Sequence, residues 1–191
     1  MKIYLLFFIL LFVTALKAQD KTFNITDEGL AKYVVTDIPG ISKEEAYKKV
    51  IDWVNRKFNT PQKAIKGMIE NQYIRIEAVS ESAMRYSGIG GSVYLPIKYE
   101  IEISLKDNKY KFEIISLQEK NYLYPQLSST EFIELNLAKT DGANGYNRVR
   151  KTNGEFRNKY KYASELADYF NSINEKLKIF LLGSDNPADN W

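Results

Sequence analysis

Neither cysteine nor histidine occurs among the 191 residues of this chain. Their absence excludes disulfides, thiol nucleophiles, Ser-His-Asp or Cys-His catalysis, and zinc sites built on nitrogen or sulfur ligands. It also excludes lipid attachment through an N-terminal cysteine. A charge excess of one sign is missing as well: 27 Lys and Arg face 24 Asp and Glu. Beyond residue 18 no stretch offers the ~20 apolar residues that cross a bilayer as a helix. No motif for a cofactor or metal is present, so none is expected. A fold without disulfides has to rest on its core, and a domain of about 150 residues buries about 70% of its unfolded surface.

What is there begins with an address. Met1-Lys2 gives a positive start, and Ile3 to Val13 is unbroken apolar. That run is too short for a permanent span and has the length of a secretory h-region. Small residues follow at Thr14, Ala15 and Ala18, which sets expected cleavage after Ala18, although Leu16 departs from the usual small residue. The alternative is an uncleaved N-terminal anchor, to which Lys17 lends some support. The chain is therefore expected to be exported to the periplasm or cell envelope, or secreted. With Lys2 and Lys17 gone, 25 basic residues meet 24 acidic ones, too balanced for a dedicated polyanion binder.

The expected organisation is a signal at 1–18, a polar leader at 19–30, a single α+β domain at 31–182 and a polar tail at 183–191. Ala31 to Asp37 reads as a strand. Ser42-Lys43-Glu44-Glu45 is a capping box. It opens a helix whose stripe is Tyr47, Ile51, Val54 and Phe58, widened by Ala46, Val50 and Trp53, and Asn59-Thr60-Pro61 ends it. Ala64 to Met68 and Tyr73 to Val79 read as strands. Val93 to Leu105 alternates most cleanly, with Val93, Leu95, Ile97, Tyr99, Ile101, Ile103 and Leu105 on one face. Pro96 inside it implies an edge position or a bulge. Lys106 to Lys109 is a turn, and Tyr110 to Leu117 returns with Tyr110, Phe112 and Ile114 inward. Residues 121–162 form a long excursion, with a small helix from Ser128 through Leu137 and turns at Asp141-Gly142, Asn144-Gly145 and Asn153-Gly154. A last helix at 163–182 carries Leu166, Phe170, Ile173, Leu177 and Phe180, with Gly183 as its C′ residue. The pattern predicts an antiparallel sheet with two helices on one face, β-α-β-β-β-β-α, and a wet second face.

The stretch from Gly29 to Leu117 carries a resemblance. Val34-Val35-Thr36-Asp37-Ile38-Pro39-Gly40-Ile41-Ser42-Lys43-Glu44-Glu45-Ala46-Tyr47 enters the helix, and Lys106-Asp107-Asn108-Lys109-Tyr110-Lys111-Phe112 turns the hairpin. These segments resemble an exported bacterial family of unknown function with a TATA-binding-protein-like fold. The resemblance implies that fold and no reaction, cofactor or site residue. A fold does not fix a function. A face of mixed charge on an exported protein argues against nucleic acid as a partner.

Three features bear on chemistry. Ser87-Gly88-Ile89-Gly90-Gly91-Ser92 lies between strands and lacks the helix and Lys of a phosphate loop, so it reads as a hairpin connection. Glu100 and Glu102, with Glu77 and Glu113, share a face with Arg75, Lys98 and Lys111, which points to ion pairing across the sheet. The segment Tyr146 to Tyr162 holds Arg148, Arg150, Lys151, Arg157, Lys159 and Lys161 against Glu155 alone, interleaved with Tyr146, Phe156, Tyr160 and Tyr162. Arg148, Arg150, Lys151, Arg157, Lys159, Tyr146 and Tyr160 are the candidate surface for an anionic partner, an envelope protein, lipid or polysaccharide. A solvated loop is the plainer reading. The sequence thus favours a non-enzymatic binding module. A carrier of an apolar ligand between helices and sheet is the alternative, and a hydrolase using only Asp, Glu, Ser, Tyr or Lys ranks last.

Overall fold

The structure, a computed structural model, describes residues 22–121, 132–139 and 147–183. The expected signal, the tail beyond Gly183, the proposed cap at Ser128 and the turns at Asp141-Gly142 and Asn144-Gly145 lie outside them.

Alternation dictates the centre. Strand β8 (Ile97–Lys106) buries Ile97, Tyr99, Ile101, Ile103 and Leu105 and turns the residues between them outward. It pairs antiparallel with β5 (Tyr73–Ser80), setting Ile74 opposite Ile103 and Ile76 opposite Ile101. On its other side it pairs with β9 (Lys109–Lys120) through the turn at Asp107-Asn108, where Asn108 takes a left-handed φ of 64°. Strand β4 (Ile65–Ile69) closes one edge against β5. At the other edge β9 takes two partners: β3 (Tyr33–Asp37) against residues 109–113 and β10 (Phe132–Glu134) against residues 118–120.

Both long helices cover the apolar face. Helix α1 (Lys43–Lys57) is capped by Ser42, whose side chain accepts the Glu45 N–H at 3.2 Å. The Glu45 carboxylate pairs with Lys49 at 2.8 Å. Its buried stripe is Ala46, Val50, Trp53 and Val54, while Tyr47, Ile51 and Phe58, expected at its centre, flank it half-buried. A one-turn helix α2 (Pro61–Ala64) leads into β4. Helix α3 (Ser164–Leu181) buries Leu166, Phe170, Ile173 and Leu177, and Gly183 ends it with φ 72° and an N–H on the Phe180 carbonyl. One polar residue on its buried stripe is satisfied: Asn174 accepts the Tyr110 hydroxyl at 2.8 Å and donates to Thr36 Oγ1 at 3.0 Å.

The α+β architecture agrees with the sequence pattern, and several details differ from it. The long strand from Val93 to Leu105 is two strands. β7 (Gly91–Tyr94) pairs only with β6 (Arg85–Gly88), and the break falls at Leu95-Pro96 because Pro96 brings no N–H to the ladder. Val93, expected inward, is exposed. The small helix expected to run through Leu137 is absent from its described part, since Phe132–Glu134 is strand.

Residues 22–30, read from their polarity as a leader, include Phe23 at 2% exposure and a short hairpin of β1 (Ile25–Thr26) and β2 (Gly29–Leu30). Phe23 meets Phe112 edge-on at 5.5 Å and Phe170 at 5.9 Å, while Asn171 holds its backbone from both sides. Phe23→Ala is expected to cost about 3–5 kcal/mol in urea denaturation. A loss below about 0.5 kcal/mol, the range of ordinary surface changes, would show that this segment does not belong to the core.

Candidate functional site

The basic aromatic segment enters the fold at two of its candidate residues, Arg150 and Tyr160. Arg150 is 6% exposed. Its Nε donates to the Leu137 carbonyl at 2.7 Å, Nη1 to Gly154 at 2.7 Å and Nη2 to Thr26 at 2.6 Å, with the guanidinium 4.2 Å from the Phe156 ring centroid. The planar fork collects carbonyls from three chain segments and ties the β1–β2 hairpin to the excursion. Arg157 Nε donates to the Asn147 carbonyl at 2.7 Å. Lys151 is exposed and pairs with Glu155 at 2.8 Å across the Asn153-Gly154 turn. Tyr146 lies outside the described residues. Arg150 and Tyr160, expected at the surface, are both buried, Tyr160 at 1% exposure.

A second group was not legible as a site. Glu119 on β9 is 1% exposed, opposite Ile97 of β8 and Ile133 of β10. Its Oε1 accepts the Tyr160 hydroxyl at 2.7 Å and lies 3.2 Å from Arg148 Nη2 and 3.6 Å from Lys159 Nζ. Arg148 also donates to the Glu134 carbonyl at 2.5 Å. Tyr86 of β6 stacks edge-on against Tyr160 at 5.6 Å. Its hydroxyl and Glu119 Oε2 are buried and make no hydrogen bond among the described residues. Burial first, then the neighbouring Glu119 carboxylate, pushes the Tyr86 phenol far up. A carboxylate among two tyrosines and two cations has the residue types of an acid–base site. Glu119, Tyr86 and Tyr160 are all closed to solvent, however, so the cluster acts as an anchor under the β6–β7 hairpin.

Sequence alternation missed Glu119 because β9 carries a bulge. The register with β8 slips so that Ile101 faces Ile114 while Glu100 faces Ser116, leaving Ile115 extra and exposed. Beyond the bulge the inward set is Leu117 and Glu119. The adjacent Ile114-Ile115 pair, which breaks the two-residue period, was the one available signal.

The root of the β6–β7 hairpin is clamped a second time. Glu165, in the first turn of α3, accepts the Arg85 backbone N–H at 2.8 Å and its Nε at 2.7 Å, and pairs with Nη2. The Arg85 guanidinium lies 4.4 Å from the Tyr162 ring centroid. Beyond this root β7 is exposed throughout, and Ile89 at the tip is fully exposed.

The outer sheet face is laced as its charge pattern implied. Arg75 reaches Glu102 at 2.8 Å and Glu100 at 3.5 Å, Glu77 holds Lys98 at 2.9 Å and Lys66 at 3.0 Å, and Lys111 pairs with Glu113. Pairs this exposed contribute at most about 1 kcal/mol each, and they leave the face neutral. Two open clefts stand out among the described residues. One of about 600 Å³ opens where β9 is left uncovered between β3 and β10, beside Ile115, Ser116 and Leu135. The other, about 570 Å³, lies on the outer face beside Tyr33, Val35 and Lys109. Neither lies between helices and sheet, where Trp53, Phe170 and Leu177 fill the space. No helix among the described residues is long and apolar enough to cross a membrane.

Residues 33–120, from β3 to the end of β9, match a family model described as a domain of unknown function (DUF4468) with TBP-like fold. Among solved structures, the chain is similar to a DUF4468 family protein from Bacteroides ovatus, 12% identical with a TM-score of 0.53. That match covers 87% of this chain and 91% of the other, and it shows the fold alone. A TBP-like protein from Parabacteroides distasonis is 15% identical with a TM-score of 0.48, covering 80% and 91%. No curated protein matches the chain.

Two outcomes follow from this geometry. Arg150→Lys removes the fork that three carbonyls share and is expected to destabilise the fold by about 2–3 kcal/mol in chemical denaturation, whereas Lys151→Ala stays within about 0.5 kcal/mol. Glu165 is held below the usual carboxylate range, first by hydrogen bonds from the Arg85 side chain. A depressed carboxyl contributes stability that is full above its unfolded pKa and lost as pH falls through the folded one. Glu165→Gln should therefore flatten the acid limb of a melting-temperature profile taken below pH ~5, and an unchanged limb would contradict the clamp.

Proposed function

We propose that this chain, whose residues 33–120 match the model of the DUF4468 family of TBP-like domains, is an exported binding module of the cell envelope that works without catalysis. One observation carries the reading: a rigidly rooted hairpin holds an uncharged, exposed tip away from the sheet. From Tyr86 to Ile97 no residue is charged, while Ile89, Val93 and Tyr94 are exposed. Exposed apolar groups gathered on one projecting element mark contact surfaces more often than scattered ones do. The apolar run at Ile3 to Val13 supports export.

The buried position of Glu119, and the carbonyl and ion pairs that engage Arg150, Arg148 and Lys159, support a structural use of these groups over a catalytic one. The alternative, an apolar ligand held between helices and sheet, draws no support from these two clefts, which lie elsewhere.

The test is capture from the native envelope, with the bound proteins and lipids identified by mass spectrometry. The unaltered chain and Ile89→Asp, changed at a site that packs against nothing, are compared side by side. Components enriched on the unaltered chain and reduced at least fivefold on Ile89→Asp are expected. Identical sets on both would remove the hairpin as the binding element.

A further inference from the structure

We propose that the β6–β7 hairpin is a membrane-docking arm that seats the Ile89 tip in an anionic lipid surface. The inference rests on the binding-module reading and names its partner. Two layers are stacked along the hairpin. At the tip, Ile89 is fully exposed and flanked by Gly88, Gly90 and Gly91, so no charge has to be dehydrated with it. The tip lies three residues beyond Tyr86, roughly 10 Å at the rise of a strand, which matches the depth that interfacial elements reach.

Below it, Tyr94 is exposed at the root itself, directly opposite Arg85, with Val93 one residue nearer the tip. Tyrosine prefers the boundary between acyl chains and headgroups, where the ring is buried and the hydroxyl stays wet. At the root stand the cations. Lys159 Nζ is 5.1 Å from the Tyr86 ring centroid, and Lys161 Nζ is 5.0 Å from that of Tyr162, the same ring that carries Arg85. Arg85 is answered by Glu165. Arg148 and Lys159 together face the single carboxylate of Glu119, which leaves positive charge over, and Lys161 adds to it. An apolar tip above a root of tyrosine and cations follows the order of acyl chain and anionic interface.

A protein partner would be expected to meet a paired edge or a shaped pocket. The hairpin offers a narrow tip of one large apolar side chain, which suits a fluid surface better than a shaped one. The double clamp at Tyr86 and Arg85 holds the arm at a fixed angle, so that insertion does not first require ordering it.

The absence of cysteine gives a direct test. Ile89→Cys and Lys43→Cys each create a single thiol for an environment-sensitive fluorophore. Lys43 binds the Asp107 turn at the opposite end of β8, so it reports the far side of the molecule. Vesicles of phosphatidylethanolamine with phosphatidylglycerol are compared with phosphatidylcholine alone. The label at 89 is expected to brighten and shift to the blue on the anionic vesicles only, while the label at 43 stays silent. In co-sedimentation, Ile89→Asp should lower partitioning roughly tenfold or more, and Lys161→Ala about threefold to fivefold.

A silent label at 89, an equal response from both labels, or equal partitioning of Ile89→Asp and the unaltered chain would each overturn the proposal. An equal response would place the membrane affinity in the apolar run at Ile3 to Val13. Should Ile89→Asp lose envelope proteins while lipid partitioning is unchanged, the binding module stands and the lipid surface falls.

Discussion

The alternation of Ile97, Tyr99, Ile101, Ile103 and Leu105 along β8 is the constraint on which the other elements depend. One face of this strand must be covered, and its register fixes which residues of β5 and β9 share that face. Helices α1 and α3 then have to lie across it with Trp53, Val54, Phe170 and Leu177 downward. Burial is non-directional and does not by itself choose how far α3 slides along the sheet. Asn174 narrows that choice: a helix shifted by one turn would leave the Tyr110 hydroxyl and Thr36 without this partner, at a cost of about 1–3 kcal/mol for each buried group left unsatisfied.

The same logic applies to the charges of the excursion. A chain without disulfides has to hold residues 132–139 and 147–163 by other means. Arg150 and Glu119 supply them from opposite directions, a cation among carbonyls and a carboxylate among donors. Each would be costly to bury alone and is tolerable only because several partners converge on it. The result is a segment whose composition looks like a binding surface and which sends Arg150 and Tyr160 into the core while Lys151 and Lys161 stay exposed. Composition records how many cations a segment has, and burial depends on which carbonyls the fold brings within 3 Å, which residue spacing does not encode.

How legible the fold was follows from how local its causes are. The α1 cap, the β8–β9 turn and the α3 stripe lie within a few residues of the structure they produce, and their positions could be read from residues 42–58, 93–117 and 163–183. Phe23 was missed because nothing near it in sequence is apolar enough to mark an element; its partners Phe112 and Phe170 are far along the chain. Glu119 was missed because one extra residue at Ile115 inverts every later side chain on that strand. The clamp between Arg85 and Glu165 joins residues 80 positions apart, and no periodicity reports such a pair.

Pro96 links the fold to its projecting arm. Its carbonyl still accepts the Lys120 N–H at 3.0 Å, so the chain leaves β9 in good register. Its nitrogen lies on the same side and brings no N–H to that ladder, and the pairing with β5 stops at Ser80 opposite Ile97. Residues 85–94 cannot then extend the main sheet and pair with one another instead. A two-stranded ribbon is marginal alone in water and needs an anchor. Tyr86 against Tyr160 and Arg85 against Glu165 supply it at the root. Beyond the root the ribbon has no inner face to fill, and so its apolar residues remain outside. The break at Leu95-Pro96 thus separates the end of a core strand from an exposed arm, and the anchors that hold that arm use part of the charge that the sequence had seemed to offer a partner.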